Sequence, residues 1–317
     1  MKICVLGAGA LGSTIGGTLA HAGNDVTLIS RAEDHVNAIN ENGLTLIEQG
    51  EKTTVKAKAA LSTQGLTPVD LVILLVKSFD TRAAVVDAKE LFGPNTLVMS
   101  LQNGLGHEEV LSELVGKENV IAGKTYVGGV QADAGVIESG VKDKLTVIGE
   151  LSGNLSARTQ HVADTFNAAG LRTQVTDNIM GTIWDKLLIN VATGAISSLT
   201  HLTYGELYKI PEVEACALHA VEEAMSVAKA NGVKLTISSA KDAWEMARAG
   251  LGPNFKTSML QSLERKTPTE IDYINGAVVQ WGQRSNIPTP YNETLVAAIK
   301  GLQHYTLASS ANSGGAV

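Results

Sequence analysis

The stretch Lys2-Ile3-Cys4-Val5-Leu6-Gly7-Ala8-Gly9-Ala10-Leu11-Gly12 decides how the rest of the chain is read. Ile3 to Leu6 is apolar without alternation, as a strand buried on both faces must be. It runs straight into GxGxxG, and a helical pattern over Ala10–Ala22 follows. In that context each glycine has a task. Gly7 permits the tight turn, Gly9 lets backbone approach a pyrophosphate, and Gly12 allows helix and strand to pack closely. Ala8, Ala10 and Leu11 fill the remaining places of the phosphate-facing loop. The N-terminus of the helix stabilises phosphate charge through its N–H groups and dipole. A glycine-rich turn without a ligand is the competing reading, and the flanking strand and helix favour a dinucleotide.

Outward from this loop, short β-rich runs alternate with helical patterns. The strands expected are Lys2–Leu6, Asp25–Ser30, Leu71–Val76, Thr96–Leu101 and Asn119–Ala122, with helices at Ala10–Ala22, Ala32–Asn42, Thr81–Leu91 and His107–Val115. Right-handed β-α-β crossovers then build a doubly wound parallel sheet. Gly135–Gly140 and Lys144–Gly149 read as a hairpin, and Leu171–Thr176 as a last strand. Beyond about Asn178 only helical patterns remain: Ile179–Ala195, Glu212–Asn231, Ser238–Ala249, Phe255–Arg265, Thr269–Ser285 and Tyr291–Ala308. The fold class expected is α/β, an N-terminal Rossmann-like doubly wound sheet followed by an all-helical C-terminal domain. The division is 1–177 for a nucleotide-binding domain, 178–308 for a helical substrate domain, and 309–317 for a disordered tail.

Composition narrows the classes. The 317 residues are 44% hydrophobic and 18% charged, too apolar for a disordered chain. The 32 glycines are about a tenth of the chain, against an average near 7%. Net charge is −7 with no Lys/Arg-rich run, which speaks against nucleic-acid binding. Cys4 and Cys216 lie far apart in apolar surroundings, so neither a disulfide framework nor a thiolate metal site is expected. The seven histidines form no HxH or HExxH pattern, and no metal is expected. The N-terminus superficially resembles a signal peptide, but Gly7, Gly9 and Gly12 break its apolar run. The nineteen residues Leu187–Gly205 carry no charge, yet Asn190, Thr193, Ser197, Ser198, Thr200, His201 and Thr203 make them too polar for hydrocarbon. A buried helix and its following loop fit better, and the protein is expected to be cytoplasmic.

Three loops at one edge of the sheet carry chemistry. The second strand ends Leu28-Ile29-Ser30-Arg31, without the carboxylate that would bind the ribose hydroxyls of NAD. Arg31 can pair with a 2′-phosphate instead, which favours NADP(H); alone it would pass for a surface arginine. After Leu71–Val76 comes Lys77-Ser78-Phe79-Asp80, with Lys77 at the carboxyl edge and Asp80 also readable as a helix cap. After the next strand comes Gln102-Asn103-Gly104, which could equally be a turn. In the helical half Lys186 and Asn190 stand four residues apart on one helix face. Lys186 can act as general acid to a carbonyl oxygen, or it can snorkel to the surface beside an exposed Asp185. Thr267-Pro268-Thr269-Glu270 reads as a capping box, with Glu270 satisfying the start of a helix.

With these residues assembled, the chain resembles the ketopantoate reductase (2-dehydropantoate 2-reductase) family over its length before the tail. The likeness rests on Gly7–Gly12, the run around Lys77, Leu101-Gln102-Asn103-Gly104 and Trp184–Asn190. It continues in Ser258-Met259-Leu260-Gln261 and Thr269-Glu270-Ile271-Asp272-Tyr273-Ile274-Asn275-Gly276. The resemblance implies NADPH-dependent reduction of 2-dehydropantoate to pantoate, on the route to pantothenate and coenzyme A. By position it implies Lys186 as proton donor, Asn190 and Ser258 as substrate-binding residues, and Asn103 beside nicotinamide and substrate. Glu270 takes the place of an acidic residue that contacts substrate or cofactor. Gly194 stands where the family commonly has a second asparagine, and Tyr204 where another asparagine can help bind substrate. Alternatives are a reductase of another 2-oxo acid (a D-2-hydroxy-acid dehydrogenase), an opine-type dehydrogenase, and a non-catalytic NADP(H)-binding protein. The partner expected is a small 2-oxo acid, and the assembly to test is a homodimer.

Overall fold

Successive side chains of a strand point to opposite faces, and the first strand, β1 (Lys2–Leu6), supplies apolar groups to both. Ile3 and Val5 enter one buried cluster with Ile15, Leu19, Leu28, Met99 and Phe166. Cys4 and Leu6 enter a second with Val72, Leu74, Val85, Leu91 and Leu111. The sheet therefore has a core on each face, which is why its central strands read as unbroken apolar runs. Cys4 lies within the second of these cores, where burial pushes its thiol pKa up to about 12.

The computed structural model describes residues 1–313. After β1 come α1 (Ala10–His21), β2 (Asp25–Ile29), α2 (Glu33–Asn42), β3 (Leu44–Glu48), β4 (Glu51–Val55), β5 (Lys58–Ala60) and β6 (Leu71–Leu74). They are followed by α3 (Thr81–Asp87), β7 (Leu97–Ser100), α4 (His107–Val115), β8 (Val120–Thr125), β9 (Gly128–Asp133) and β10 (Val136–Gly140). The series ends with β11 (Thr146–Glu150), α5 (Ala157–Ala168) and β12 (Thr173–Val175). The large sheet has the order β12-β11-β8-β7-β6-β1-β2-β5. Its pairs are parallel except β8 with β11. A smaller sheet, β4-β3-β10-β9, lies on α1. Gly16 and Gly17 make that sandwich possible. A Cβ on Gly16 would come within 2.4 Å of Leu28, and one on Gly17 within 2.6 Å of Leu44.

Three strands of the small sheet and the edge strand β5 have no counterpart in the sequence reading. β4 is polar and mostly exposed, β5 has three residues, and β9 opens on Gly128-Gly129, so none carries a strong apolar period. The hairpin expected from Gly135–Gly140 and Lys144–Gly149 is not formed. β10 pairs with β3 and β9, whereas β11 pairs with β8 and β12 in the other sheet. The burial of all five β11 residues suits an interior strand, while β10 is covered on one side only.

The helical unit holds α6 (Ile179–Thr200), α7 (Tyr204–Leu207), α8 (Pro211–Ala230), α9 (Ala240–Arg248), α10 (Ser258–Glu264), α11 (Asn275–Ser285) and α12 (Pro290–Ser313). Small residues on α8, among them Ala217, Ala220 and Ala224, let α9, α11 and α12 pack closely against it. The uncharged run is α6 and the turn after it. Its buried hydroxyls bond locally: Ser198 donates to the Gly194 carbonyl (2.7 Å) and Ser197 to that of Leu202 (2.8 Å). Among the described residues no helix is long and apolar enough to cross a membrane. α12 continues to Ser313, past the expected end at 308, where no glycine or proline stands between Ala308 and Gly314. The rest of the expected tail, 314–317, lies outside the described residues. The chain divides into two compact units, one of Met1–Gln102 with Gly106–Ile179, the other of Asn103–Leu105 with the residues from Met180 onward.

Candidate active site

The glycine loop is held from three directions. The N–H groups of Gly7 and Ala8 both donate to the Ile29 carbonyl at the end of β2 (3.0 and 2.7 Å). Gly7 has φ +99°, and a Cβ there would lie 2.3 Å from the Val76 nitrogen. A Cβ on Gly12 would lie 2.2 Å from the Gly7 carbonyl oxygen, so helix and loop close only because both are glycine. Gly9 differs: it is exposed, and a Cβ on it would meet nothing within 4 Å. No side chain caps α1, and its first turn holds no acidic residue. An uncapped helix start beside open space at Gly9 suits the pyrophosphate of a dinucleotide.

A buried relay supports this loop from behind, and sequence reasoning missed it. The Gly135 N–H donates to His35 Nδ1 (3.0 Å), which places the ring proton on Nε2. Nε2 then donates to Ser13 Oγ (3.0 Å), and Ser13 Oγ donates to the Ala8 carbonyl (3.1 Å). A hundred residues separate His35 from Gly135, so no local pattern marks the pair. Burial pushes the His35 pKa down, and burial with nearby Lys124 pushes that of His107 down to about 3. Both rings fold neutral. The unfolded chain binds the extra protons below about pH 6.5, so stability falls as pH falls through that value. The His107 share of the loss continues towards pH 3. Urea denaturation at pH 7 and pH 5 is expected to give a lower midpoint at pH 5. His107→Asn is expected to narrow that difference.

At the tip of β2, Arg31 is exposed, and its Nη2 lies 2.6 Å from Asp80 Oδ2. Asp80 does not cap α3 with its side chain, contrary to that reading of the sequence; its carboxylate holds Arg31. Lys77 is exposed at the carboxyl end beyond β6, in the same unit. Gln102 braces the neighbouring loop: its amide donates to the Val76 carbonyl (2.8 Å) and to Thr81 Oγ1 (2.9 Å).

Asn103 belongs with the helical unit. The Leu105 N–H donates to the Tyr273 carbonyl (3.0 Å), and Tyr273 N–H to that of Glu270 (3.0 Å). Gly104 has φ +98°, and a Cβ there would lie 2.3 Å from the Tyr273 oxygen. The Asn103 loop and the Glu270 turn are thus brought together. The capping box expected at Thr267–Glu270 is absent. Thr267 Oγ1 bonds back to the Ser262 carbonyl, and Thr269 bonds through its N–H and hydroxyl to Gln303 Oε1 (2.7 and 2.8 Å). A short 3-10 turn, Ile271–Tyr273, precedes α11, and no side chain caps it. Glu270 is half-buried.

On α6, Lys186, Asn190 and Gly194 recur at four-residue intervals along one face. Lys186 and Asn190 are half-buried. The helix is fixed beside them by Trp184, whose ring meets Trp281 edge-on at 5.8 Å, and by Asp185. Asp185 is buried rather than exposed as the snorkelling alternative supposed. It accepts from the N–H groups of Thr236 and Ile237 and from the Thr236 hydroxyl (2.6 Å). Gly194 is buried, and a Cβ on it would meet only Met259 Cε at 3.7 Å. Ser258, the residue before Met259, therefore opens α10 next to this part of α6. Tyr204 donates or accepts with Thr193 Oγ1 at 3.0 Å and packs edge-on against Phe255. The Tyr204 hydroxyl thus meets the residue that precedes Gly194 on α6.

A doubly wound sheet with a glycine-rich strand-to-helix loop, followed by a helical unit, is the architecture of a class of nicotinamide-dependent oxidoreductases. The family models described as "Ketopantoate reductase PanE/ApbA" and its C-terminal counterpart match residues 3–153 and 178–303. The chain belongs to the ketopantoate reductase family. It is 38% identical over 303 residues to a 2-dehydropantoate 2-reductase of Pyrococcus horikoshii, covering 95% of this chain and 97% of that one. It is similar to the crystal structure of a PanE/ApbA family ketopantoate reductase from Ralstonia eutropha JMP134, with TM-score 0.88, 34% identity and coverage of 96% and 99%. It is also similar to D-mandelate dehydrogenase in its ternary structure with NADH and anilino(oxo)acetate, with TM-score 0.89, 27% identity and the same coverage.

Proposed function

We propose that this protein reduces 2-dehydropantoate to pantoate with NADPH, in the cytoplasm, on the route to pantothenate and coenzyme A. The observation that carries the reading is the two-part family match, which spans both the glycine loop and the helical unit with Lys186. The nicotinamide of bound NADPH supplies the hydride to the carbonyl carbon. Gly7, Ala8, Gly9, Ala10, Leu11 and Gly12 hold the pyrophosphate, and Arg31 pairs with the 2′-phosphate. Lys77 and Asn103 line the cofactor's path. Lys186 polarises the carbonyl and protonates the developing alkoxide oxygen. Asn190 and Ser258 hold the hydroxyl and carboxylate ends of the substrate, and Glu270 orients substrate or cofactor.

Loss of NADPH absorbance with 2-dehydropantoate tests the activity. Fluorescence enhancement of NADPH without turnover of any 2-oxo acid would instead mark a non-catalytic nucleotide-binding protein. Arg31→Ala is expected to weaken NADPH about 10- to 100-fold, the range for a lost charge-assisted bond. NADH should change by no more than about twofold, because an exposed charge without a phosphate partner contributes little. Equal losses for both cofactors would defeat the 2′-phosphate role.

One observation favours a second reading, a D-2-hydroxy-acid dehydrogenase for a bulkier 2-oxo acid. The place beside Asn190 on α6 is occupied by Gly194, with only Met259 near its missing side chain. A panel of branched and aromatic 2-oxo acids, ranked by kcat/KM against 2-dehydropantoate, separates the two. Light scattering on the purified chain tests the homodimer.

A further inference from the structure

The sequence places no carboxylate at the tip of β2, yet the fold brings one there from another loop. Arg31 follows β2 and Asp80 follows β6, and β1 lies between those strands in the sheet. Their 2.6 Å ion pair therefore spans the carboxyl end of β1, where the glycine loop begins. Two strand spacings separate the backbones, roughly 10 Å, a gap the long arginine side chain crosses. The partners are unequal: the Arg31 side chain is 83% exposed and that of Asp80 25%. Asp80 is also fixed through its backbone, its N–H donating to the Lys77 carbonyl at 2.8 Å. Asp80 is thus the anchored member and Arg31 the movable one.

We propose that Asp80 sets cofactor selectivity by competing with the cofactor's 2′-phosphate for Arg31. The inference rests on the Arg31 assignment above. A phosphate ester carries close to two negative charges at neutral pH. It must draw the guanidinium away from Asp80, or share it while facing a like charge. A ribose with a free 2′-hydroxyl meets no such repulsion, and a carboxylate at this place can accept its proton. The pair therefore penalises NADPH and favours NADH relative to a lone arginine. The organising value of the pair works in the opposite direction, but an exposed ion pair holds its partners only weakly. Release of Arg31 to the phosphate is the larger effect.

The test is the affinity of Asp80→Asn for NADPH and NADH, read by nucleotide fluorescence beside wild type and Arg31→Ala. Asparagine keeps the shape and removes the charge. NADPH is expected to bind about 3- to 10-fold more tightly, the scale of one close charge pair in a high-dielectric setting. NADH is expected to bind equally or more weakly, so the selectivity ratio rises. In the Arg31→Ala background the gain for NADPH should shrink to about twofold or less, as expected when exposed charges no longer share a partner. Weaker NADPH binding in Asp80→Asn, or an unchanged ratio, overturns the competition and leaves the Arg31 role standing if Arg31→Ala still loses NADPH selectively. A full gain in the Arg31→Ala background also overturns it. Equal losses of both cofactors in Arg31→Ala overturn the Arg31 assignment itself, and the competition with it.

Discussion

Lys186→Ala is expected to lower kcat for the 2-oxo acid by about 10²- to 10⁴-fold, the span of a positioned general acid. NADPH affinity should persist, because the glycine loop belongs to the other compact unit. The lysine is well placed to be rigid. Trp184 is fully buried two residues earlier, and Asp185 ties α6 to Thr236 and Ile237. Its neighbours are thus fixed while Lys186 itself stays half-buried. Arginine at this position separates two roles. It keeps the positive charge but cannot yield its proton at neutral pH. If Lys186 delivers the proton, Lys186→Arg stays impaired; if it only polarises the carbonyl, much of the rate returns. Undiminished turnover in Lys186→Ala would remove the residue from the mechanism.

Gly12→Ala and Gly9→Ala are expected to fail in opposite ways, though three residues apart in one loop. At Gly12 a methyl would sit 2.2 Å from the Gly7 carbonyl oxygen, which is itself held by the bonds of Gly7 and Ala8 to Ile29. The backbone must shift, at a cost of about 1–3 kcal/mol as for other overpacked sites. Tm should fall by several degrees, at roughly 2–4 °C per kcal/mol for a domain of this size. Gly9→Ala meets no atom within 4 Å and keeps an extended backbone that alanine adopts. Its Tm should change little, with a loss below about 1 kcal/mol from the poorer N-cap. NADPH binding should nevertheless weaken at least tenfold, because the methyl fills the space that a pyrophosphate needs. Calorimetry and fluorescence titration of both variants check the pair. Retained affinity in Gly9→Ala would mean that the cofactor does not approach this residue.

Much of the fold was legible because the signals were local. β1 and the His107–Val115 helix have the expected bounds, and the apolar runs of the central strands follow from burial on both faces. The small sheet was not legible, because its strands are polar, short or glycine-rich and are held by pairing with distant segments. The supposed hairpin failed for the same reason: adjacency in sequence said nothing about which sheet each strand would join. At the candidate site, the sequence read Thr267–Glu270 as a cap. Gln303, some thirty residues later, binds Thr269 instead.

The sequence by itself determined the glycine-rich loop between β1 and α1, the order of an α/β half before a helical half, and the spacing of Lys186, Asn190 and Gly194 on one face. These depend on dihedral freedom, burial period and helical repeat, all properties of a few consecutive residues. Only the tertiary structure decided how the loop is supported and what surrounds the charges. It joined Gly135, His35, Ser13 and Ala8 in one relay, seated Asn103–Leu105 on the turn after Glu270, and carried Asp80 across β1 to Arg31. Strand order and chain crossover make those contacts, and neither is written in any short stretch of residues.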